Sequence, residues 1–438
     1  MTPASDARAG AARGSRAGAA RASGRAAARV PLPARPLTSY YLVVGSALLL
    51  TGIGLVMVLS SSSVESYRES GSSFSVFQKQ LMWVFLGLPA MWLAVRIPVR
   101  AIRVLAWPLM ALSIIGLLLV FVPGIGAPPV SGATRWIEVG PLRAQPSELA
   151  KLALALWAAD VYARKETLLD DWRHIVVPLL PMTCLLGVLI MAEPDMGTTL
   201  VVLATAFALI WVVGAPGRIV ALLAGAGTAV CALLAVAEPY RFARLVGFVD
   251  PCGAHNRLTE GYQGCQGLYA IGSGGWFGVG LGQSRQKWSG YLPNAHTDFI
   301  YAIIGEELGL AGTLLVLILF AVLAYAGVRV AQRSRDTFVR LAATGLTAAL
   351  IVQATINMAT VTGLLPITGI PLPLISFGGS SLGVSLFSIG LLASFARNEP
   401  GAREALAARG PSYVVRGRRA VAAFYGFGPA PRRRARKR

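Results

Sequence analysis

Long apolar runs separated by short polar intervals dominate the chain between residues 40 and 396. Ten of these runs are long enough, or nearly so, to cross about 30 Å of hydrocarbon as α-helices. They lie near residues 40–59, 80–95, 102–122, 147–163, 175–192, 198–214, 218–237, 299–328, 339–362 and 374–396. The pattern predicts an all-α polytopic membrane protein with about ten transmembrane helices.

Both ends of the chain lack this pattern. Residues 1–39 are mostly Ala, Arg, Gly, Ser and Pro, and residues 398–438 end in a run of arginine and lysine. Such segments have too little apolar surface to bury on folding. We therefore predict two basic tails, disordered or largely so, flanking a membrane domain over residues 40–397.

Composition supports this division, since 55% of the residues are hydrophobic and only 14% are charged. Of the 40 lysines and arginines, seven lie in the tail up to Arg35 and twelve lie from Arg397 onward. Because basic residues concentrate on the cytoplasmic side, both termini are predicted to be cytoplasmic. Residues 238–298 then form one large extracytoplasmic loop between the seventh and eighth helices. The net charge of +20 is assigned to attraction by anionic headgroups rather than to nucleic acid.

Two of the four cysteines, Cys252 and Cys265, lie close together in this predicted loop. The exterior is an oxidising compartment in most bacteria. A disulfide between them is therefore one hypothesis. Cys184 and Cys231 fall within predicted spans, where cysteine usually serves as a small apolar residue.

Carboxylates gather at the predicted exterior ends of the spans. Asp298 directly precedes the apolar run 299–328, where a charge is costly to keep out of water and calls for a functional explanation. A structural alternative is that Asp298 caps the following helix. Glu193 and Asp195 flank a proline in a short turn, which is either an ordinary turn or a weak signal for a divalent cation.

A lysine and a glutamate lie at the start of the fourth span. Glu148 and Lys151 are three residues apart and share one helix face. They form either a self-neutralising pair or a site at which the lysine faces a cavity or an anionic ligand. The helix opening at Gly378–Ser381 offers amide groups that could contact a phosphate, or it is simply a flexible entry to the last span.

Several classes of site are disfavoured. The three histidines are too scattered for a zinc site or a Ser-His-Asp triad. The chain has no P-loop, and the glycine run 272–282 lacks the spacing and the βαβ context of a dinucleotide loop. Glycines there are better explained by close packing or by a loop that dips into the membrane face.

Five segments carry a resemblance to a known family. They are GATRWI (132–137), QPSELAK (145–151), AEPDMGT (192–198), LPNAHTDFIYAIIGEELG (292–309) and LPLISFGGSS (372–381). In this order they resemble the SEDS family (shape, elongation, division and sporulation) of bacterial peptidoglycan polymerases, and the resemblance covers residues 40–397. Residues 280–299 are more similar to the division-specific branch than to the elongation-specific one, and the long basic tails suggest an actinobacterial-type member.

The resemblance implies a glycosyltransferase of the bacterial cytoplasmic membrane, acting during septal cell-wall synthesis. Lipid II would be polymerised into β-1,4 glycan strands at the outer face, with undecaprenyl pyrophosphate as the leaving group. Asp298 corresponds to the family's catalytic aspartate and would act as a general base. No organic cofactor is expected, but Mg²⁺ or Mn²⁺ could be held by Glu193 and Asp195.

The resemblance and the chemistry of a pyrophosphate leaving group together suggest a set of substrate-binding residues. These are Arg135, Arg143, Glu148, Lys151, Lys287, His296, Glu306 and Ser380. A class B penicillin-binding protein transpeptidase and other divisome proteins are the expected partners. Two alternatives are a lipid II flippase and a non-enzymatic division scaffold. Ionisable residues gathered at one face favour an enzyme, because a transporter distributes its sites near the bilayer midplane.

Overall fold

The computed structural model describes residues 37–128, 134–140, 142–237, 242, 247–254, 256–259, 261–288 and 291–402. Its α-helices within these ranges are α1 (Thr38–Ser70), α2 (Ser75–Ala94), α3 (Val99–Leu119), α4 (Pro146–Arg164), α5 (Trp172–Ala192), α6 (Met196–Val213), α7 (Gly217–Ala237), α8 (Tyr262–Gly274), α9 (Ile300–Arg333), α10 (Thr337–Val361) and α11 (Ser380–Arg397). Short 3-10 helices cover Glu166–Leu168 and Asn256–Leu258. Strands β1 (Ile137–Val139) and β2 (Leu142–Ala144) form an antiparallel hairpin.

Each of the ten predicted apolar runs overlaps one long helix. Seven of these helices, α1, α3, α5, α6, α9, α10 and α11, are long and apolar enough to cross a membrane. The chain is therefore a mostly helical, multi-pass membrane protein. Crossing by α2, α4 and α7, the total of ten spans and the cytoplasmic position of both termini stay predictions. The predicted disordered tails lie almost entirely outside the described residues.

Two elements differ from the sequence prediction. Helix α1 continues past residue 59 to Ser70, through a serine-rich stretch whose hydroxyls bond carbonyls one turn back, as Ser62 does to Val58 at 2.7 Å. Helix α8 forms within residues 238–298, which the sequence assigned to one large loop. It packs on α9, and a Cβ at Gly267 would lie 2.7 Å from the Phe299 ring. The glycines therefore serve close packing of one helix on another.

Helix α4 lies at the centre of the fold. It packs between α3 and α10, and from Pro146 to Tyr162 every side chain except that of Leu149 is buried. Small residues allow the close approach, since a Cβ at Gly345 of α10 would lie 2.8 Å from the Cβ of Ala155. The polar residues Ser147, Glu148, Lys151 and Asp160 of α4 are thus held inside the protein and away from lipid.

A buried non-helical segment, residues 366–379, connects α10 to α11. It enters the helical core, where residues 372–376 are all buried. Glycines on two helices make room for it: a Cβ at Gly54 would lie 2.7 Å from the Cα of Ile375, and one at Gly197 would lie 2.5 Å from the Ile370 side chain. Irregular backbone at membrane depth is tolerated where protein surrounds it. We call residues 366–379 the buried segment, and it positions much of the candidate site.

Candidate functional site

Asp298 lies in a turn whose backbone is fixed by three hydrogen bonds. The carbonyl oxygens of the consecutive residues His296, Thr297 and Asp298 each accept one donor. The donors are, in that order, the main-chain N–H of Phe377 (3.0 Å), the hydroxyl of Ser376 (2.6 Å) and the side-chain amide of Asn357 (2.8 Å). The position of the Asp298 backbone is therefore set jointly by α10 and by the buried segment.

The Asp298 side chain is half-buried beside Gly369. Gly369 has a φ of 72°, and a Cβ there would lie 3.7 Å from Oδ2 of Asp298. The N-cap residue of α9 is Phe299, so Asp298 lies one residue outside the capping position. Asp298 therefore lies immediately before the helix start, and both its capping role and its functional role stay predictions.

His296 lies beside Glu65, a glutamate outside the predicted site residues. Its Nδ1 atom is 3.1 Å from Oε2 of Glu65 on α1, with the histidine side chain mostly buried and the glutamate half-exposed. The imidazole also packs against the Phe377 ring, 5.7 Å between centroids. Glu65 was missed because its helix was predicted to end at residue 59; a glutamate near the end of an apolar span was the available signal.

The predicted pair of Glu148 and Lys151 is present and almost fully buried. The Lys151 ammonium group donates to Oε1 of Glu148 at 2.8 Å and to Oε1 of Gln353 on α10. Gln353 in turn donates to the carbonyl of Pro371, at 3.0 Å, in the buried segment. A cavity of about 20 Å³ beside the pair has room for one water molecule. The pair therefore supports the buried segment through Gln353.

Arg135 caps the turn between α5 and α6 through main-chain oxygens. Its Nε donates to the carbonyl of Glu193 at 3.3 Å and its Nη2 to the carbonyl of Pro194 at 2.6 Å. Asp195 is the N-cap of α6, and its carboxylate accepts from three groups. They are the Thr198 N–H (3.1 Å), the Thr198 hydroxyl (2.8 Å) and the Gln145 amide (3.2 Å).

Ser380 is joined to the same turn through Gln145, whose main-chain N–H donates to the Ser380 hydroxyl at 3.0 Å. Ser380 is the first residue of α11. Gln145 therefore links the starts of α4, α6 and α11. Ser380 belongs to the helix opening at Gly378–Ser381 that was predicted to contact a phosphate. Its hydroxyl already accepts a hydrogen bond from Gln145.

Glu193 and Asp195, the residues predicted to hold a divalent cation, have different surroundings. Glu193 is fully buried, and neither of its carboxylate oxygens has a hydrogen-bond partner among the described residues. Burial, followed by the charge of Asp195, raises the pKa of Glu193 to about 8 against the opposing effect of Arg135. Asp195 is committed to capping, and the described part of the chain has no cluster of three or more His, Cys, Asp or Glu suited to a metal. A divalent cation at Glu193 and Asp195 stays a prediction, and no step is assigned to it.

Arg143 lies on the exposed hairpin. It is paired across the strands with Glu138, and its Nη2 lies 2.9 Å from Oε1 of that residue with both side chains about half-exposed. Exposed pairs of this kind contribute about 0–1 kcal/mol. The hairpin pair explains Arg143 without a substrate, so its substrate-binding role stays a prediction.

Lys287 and Glu306 belong to a network that anchors a loop to α9. Helix α9 is broken at Gly309, which has a φ of 68° and a ψ of −163°. The break frees the carbonyls of Glu306 and Glu307, which accept from the N–H groups of Val279 (2.9 Å) and Gly280 (3.1 Å). Backbone groups on both sides of the break are therefore satisfied by residues 274–287.

The two glutamate side chains complete this anchor. Glu306 accepts from the Ser284 hydroxyl and from the Arg285 N–H at 2.9 Å. Glu307 accepts from the Ser60 hydroxyl of α1 at 2.6 Å and lies 3.5 Å from Nζ of Lys287. Glu307 is paired with Lys287 and Glu306 is held by hydrogen bonds, so the structure gives both a role in shaping the loop.

Cys252 and Cys265 are joined in a disulfide, with their Cα atoms 5.0 Å apart. Cys265 is buried in α8, so the bond ties the preceding loop to that helix. Cys184 is a free, exposed cysteine on α5.

These observations define a class: a helical, multi-pass membrane protein whose ionisable residues surround a buried non-helical segment and a backbone-clamped aspartate. The family model of the cell cycle proteins FtsW, RodA and SpoVE matches residues 40–400. The chain belongs to this family, which is the SEDS family indicated by the five sequence motifs.

Named relatives agree with this assignment. The chain is 42% identical over 374 residues to the probable peptidoglycan glycosyltransferase FtsW of Mycobacterium tuberculosis, covering 85% of this chain and 71% of the relative. It is 38% identical over 356 residues to stage V sporulation protein E of Bacillus subtilis, covering 81% of this chain and 96% of the relative.

Solved structures show the same architecture. One is a chain from a peptidoglycan synthase complex studied for its coordination of polymerization and crosslinking, with a TM-score of 0.66, 28% identity and coverage of 82% of this chain and 98% of that one. Another is the rod shape determining protein RodA of Thermus thermophilus, with a TM-score of 0.60, 27% identity and coverage of 82% and 97%.

Proposed function

We propose that this protein is a peptidoglycan glycosyltransferase that polymerises lipid II at the outer face of the cytoplasmic membrane during septal wall synthesis. The observation that carries the proposal is the clamp on residues 296–298, in which three consecutive carbonyls are held by α10 and the buried segment. Its relatives' names as FtsW glycosyltransferases support the reaction class.

Asp298 is the general base of this proposal. Its carboxylate takes the proton from the 4-hydroxyl of the acceptor sugar while that oxygen attacks the anomeric carbon of the donor. The bond from the anomeric carbon to the pyrophosphate oxygen breaks, and undecaprenyl pyrophosphate leaves. A positioned base contributes about 10²–10⁴-fold, and the clamp provides the positioning on which such catalysis depends.

Lys151 acts as a positioning residue in this proposal. Two of its three N–H groups are used by Glu148 and Gln353. The lysine orients Gln353, and through it the carbonyl of Pro371 in the buried segment. Its effect on the reaction is therefore exerted through the backbone that holds Asp298.

A class B penicillin-binding protein transpeptidase is the proposed partner, and the division septum the proposed location. The partner is supported by the similarity to a chain from a synthase complex that couples polymerization to crosslinking. The predicted cytoplasmic tails would remain free for other division proteins.

The test is reconstitution of the purified protein in liposomes with lipid II. The reaction is run alone and together with the cognate transpeptidase, whose own active site is inhibited. We expect glycan strands to form, with one undecaprenyl pyrophosphate released for each glycosidic bond. If no polymer forms under either condition and lipid II moves faster between the leaflets, the protein is a transporter and the proposal of an enzyme is wrong.

A further inference from the structure

A second charged site lies in the last two turns of α4, at the opposite end of this helix from Glu148 and Lys151. Its centre is Asp160, twelve residues after Glu148 and so about 18 Å further along the helix axis at 1.5 Å per residue. The Asp160 side chain is fully buried. It accepts from three donors, Arg103 Nε (2.5 Å), Arg164 Nε (2.6 Å) and Trp107 Nε1 (2.8 Å).

The way in which the two arginines bind is informative. Both use Nε, and no Nη group of either arginine has a hydrogen bond within the described part of the chain. Their side chains are 36% exposed for Arg103 and 59% exposed for Arg164. Two guanidinium groups share one carboxylate, so one positive charge is left in excess. Guanidinium forks match phosphate oxygens in pairs, and a buried carboxylate that fixes them reduces the entropy lost on binding.

The surface beside this cradle is apolar. Helix α3 exposes Val104, Leu105 and Leu112, and the Trp107 ring is also exposed although its N–H bonds Asp160. A tryptophan with one polar and one apolar contact is typical of the level of lipid headgroups. A ligand of this place therefore needs an anionic head and apolar chains.

We propose that Arg103 and Arg164, held by Asp160, bind the phosphodiester headgroup of an anionic phospholipid whose acyl chains lie along the exposed face of α3. The site falls on the predicted cytoplasmic side, where anionic headgroups attract basic residues. Binding would fix the ends of α3 and α4 relative to each other at the membrane surface. The site is separate from the proposed catalytic centre.

The first experiment separates a lipid from a soluble phosphate. The full-length protein in a neutral detergent is given phosphatidylglycerol, phosphatidylcholine with the same chains, or sn-glycerol 3-phosphate, and lipid adducts are counted by native mass spectrometry. We expect phosphatidylglycerol to remain bound as adducts and to raise the unfolding temperature. Phosphatidylcholine and sn-glycerol 3-phosphate should do neither. Equal stabilisation by glycerol phosphate or by phosphatidylcholine would overturn the proposal.

The second experiment uses variants. Arg164→Gln removes one fork, and Arg164→Lys keeps the charge and a partner for Asp160 while losing the fork. We expect phosphatidylglycerol to bind roughly tenfold more weakly to Arg164→Gln, the loss typical of one charged hydrogen bond, and measurably more weakly to Arg164→Lys. Arg218 is an exposed arginine at the start of α7, so Arg218→Gln is the control and should bind phosphatidylglycerol as the wild type does. Wild-type affinity in both Arg164 variants would contradict the assignment.

Discussion

Gln353 and Asn357 lie one turn apart on α10 and bond to the two halves of the candidate site. Gln353 accepts from Lys151 and donates to the carbonyl of Pro371. Asn357 donates to the carbonyls of Asp298 and Ile370, both at 2.8 Å. The pair therefore couples the buried lysine, the buried segment and the proposed base through one face of a single helix.

Asn357→Leu removes both of these amide bonds at similar side-chain volume. We expect the rate of polymerisation at saturating lipid II to fall about tenfold to a hundredfold, since a displacement of about 1 Å in a reacting group has effects of that size. KM should change little. Thr355→Val, on the exposed face of α10, is the matched control and should be near wild type. Normal turnover by Asn357→Leu would show that the hydrogen bonds from Asn357 do not position Asp298 for catalysis.

Lys151→Met leaves the carboxylate of Glu148 buried without its cation. Loss of one partner from a buried pair costs about 3–5 kcal/mol, so we expect a marked drop in unfolding temperature in detergent. The double variant Lys151→Met with Glu148→Gln removes both charges and should recover much of that stability. Its polymerisation should stay low, because Gln353 has still lost its lysine. Full activity in the stable double variant would show that the pair serves folding alone.

Glu193 predicts a pH dependence of stability. Its native pKa of about 8 lies above the ordinary value of 4.5, so between these values the native state holds a proton that the unfolded state has released. This contribution to stability is complete below about pH 4.5, is lost as pH rises, and changes no further above about pH 8. Glu193→Gln, which mimics the protonated acid, should therefore show a smaller fall in unfolding temperature from pH 5 to 8. Glu138→Gln, on the exposed hairpin, should keep the wild-type slope, and an identical slope in Glu193→Gln would refute the raised pKa.

The Cys252–Cys265 disulfide should hold the loop before α8 in place. A bond closing about 15 residues is worth roughly 3 kcal/mol, and these cysteines are separated by 13 positions. In the variant with both changed to serine, we expect faster hydrogen exchange over residues 247–274. Cys184→Ser should leave that exchange unchanged. Labelling of both thiols in unreduced wild type would rule out the bond.

Most of the helical pattern could be predicted from the sequence, because long apolar runs respond chiefly to the thickness of the bilayer. The continuation of α1 and the existence of α8 could not. Serine hydroxyls that bond within α1 and glycines that pack α8 on α9 act through contacts that hydropathy does not register. For the site, Asp298, Glu148 and Lys151 stood out because charge in an apolar setting is expensive.

Gln353, Asn357 and Glu65 were missed for a different reason. Each is a polar residue within or near the end of a long helix. Its importance depends on the group that it contacts in the folded chain, which is a backbone carbonyl for Gln353 and Asn357 and the His296 ring for Glu65. Arg143, Lys287 and Glu306 were selected for their charge. The structure gives each a protein partner, which sequence position alone could not reveal.

The most direct test of the central claim is the initial rate of glycan synthesis by Asp298→Asn, reconstituted with lipid II and the cognate transpeptidase. The control is Asp250→Asn, an exposed aspartate in the same predicted exterior loop. The account predicts normal insertion of both proteins, a near wild-type rate for Asp250→Asn, and a rate at least about 10²-fold lower for Asp298→Asn, the loss of a general base. A rate for Asp298→Asn within a few-fold of wild type would contradict it.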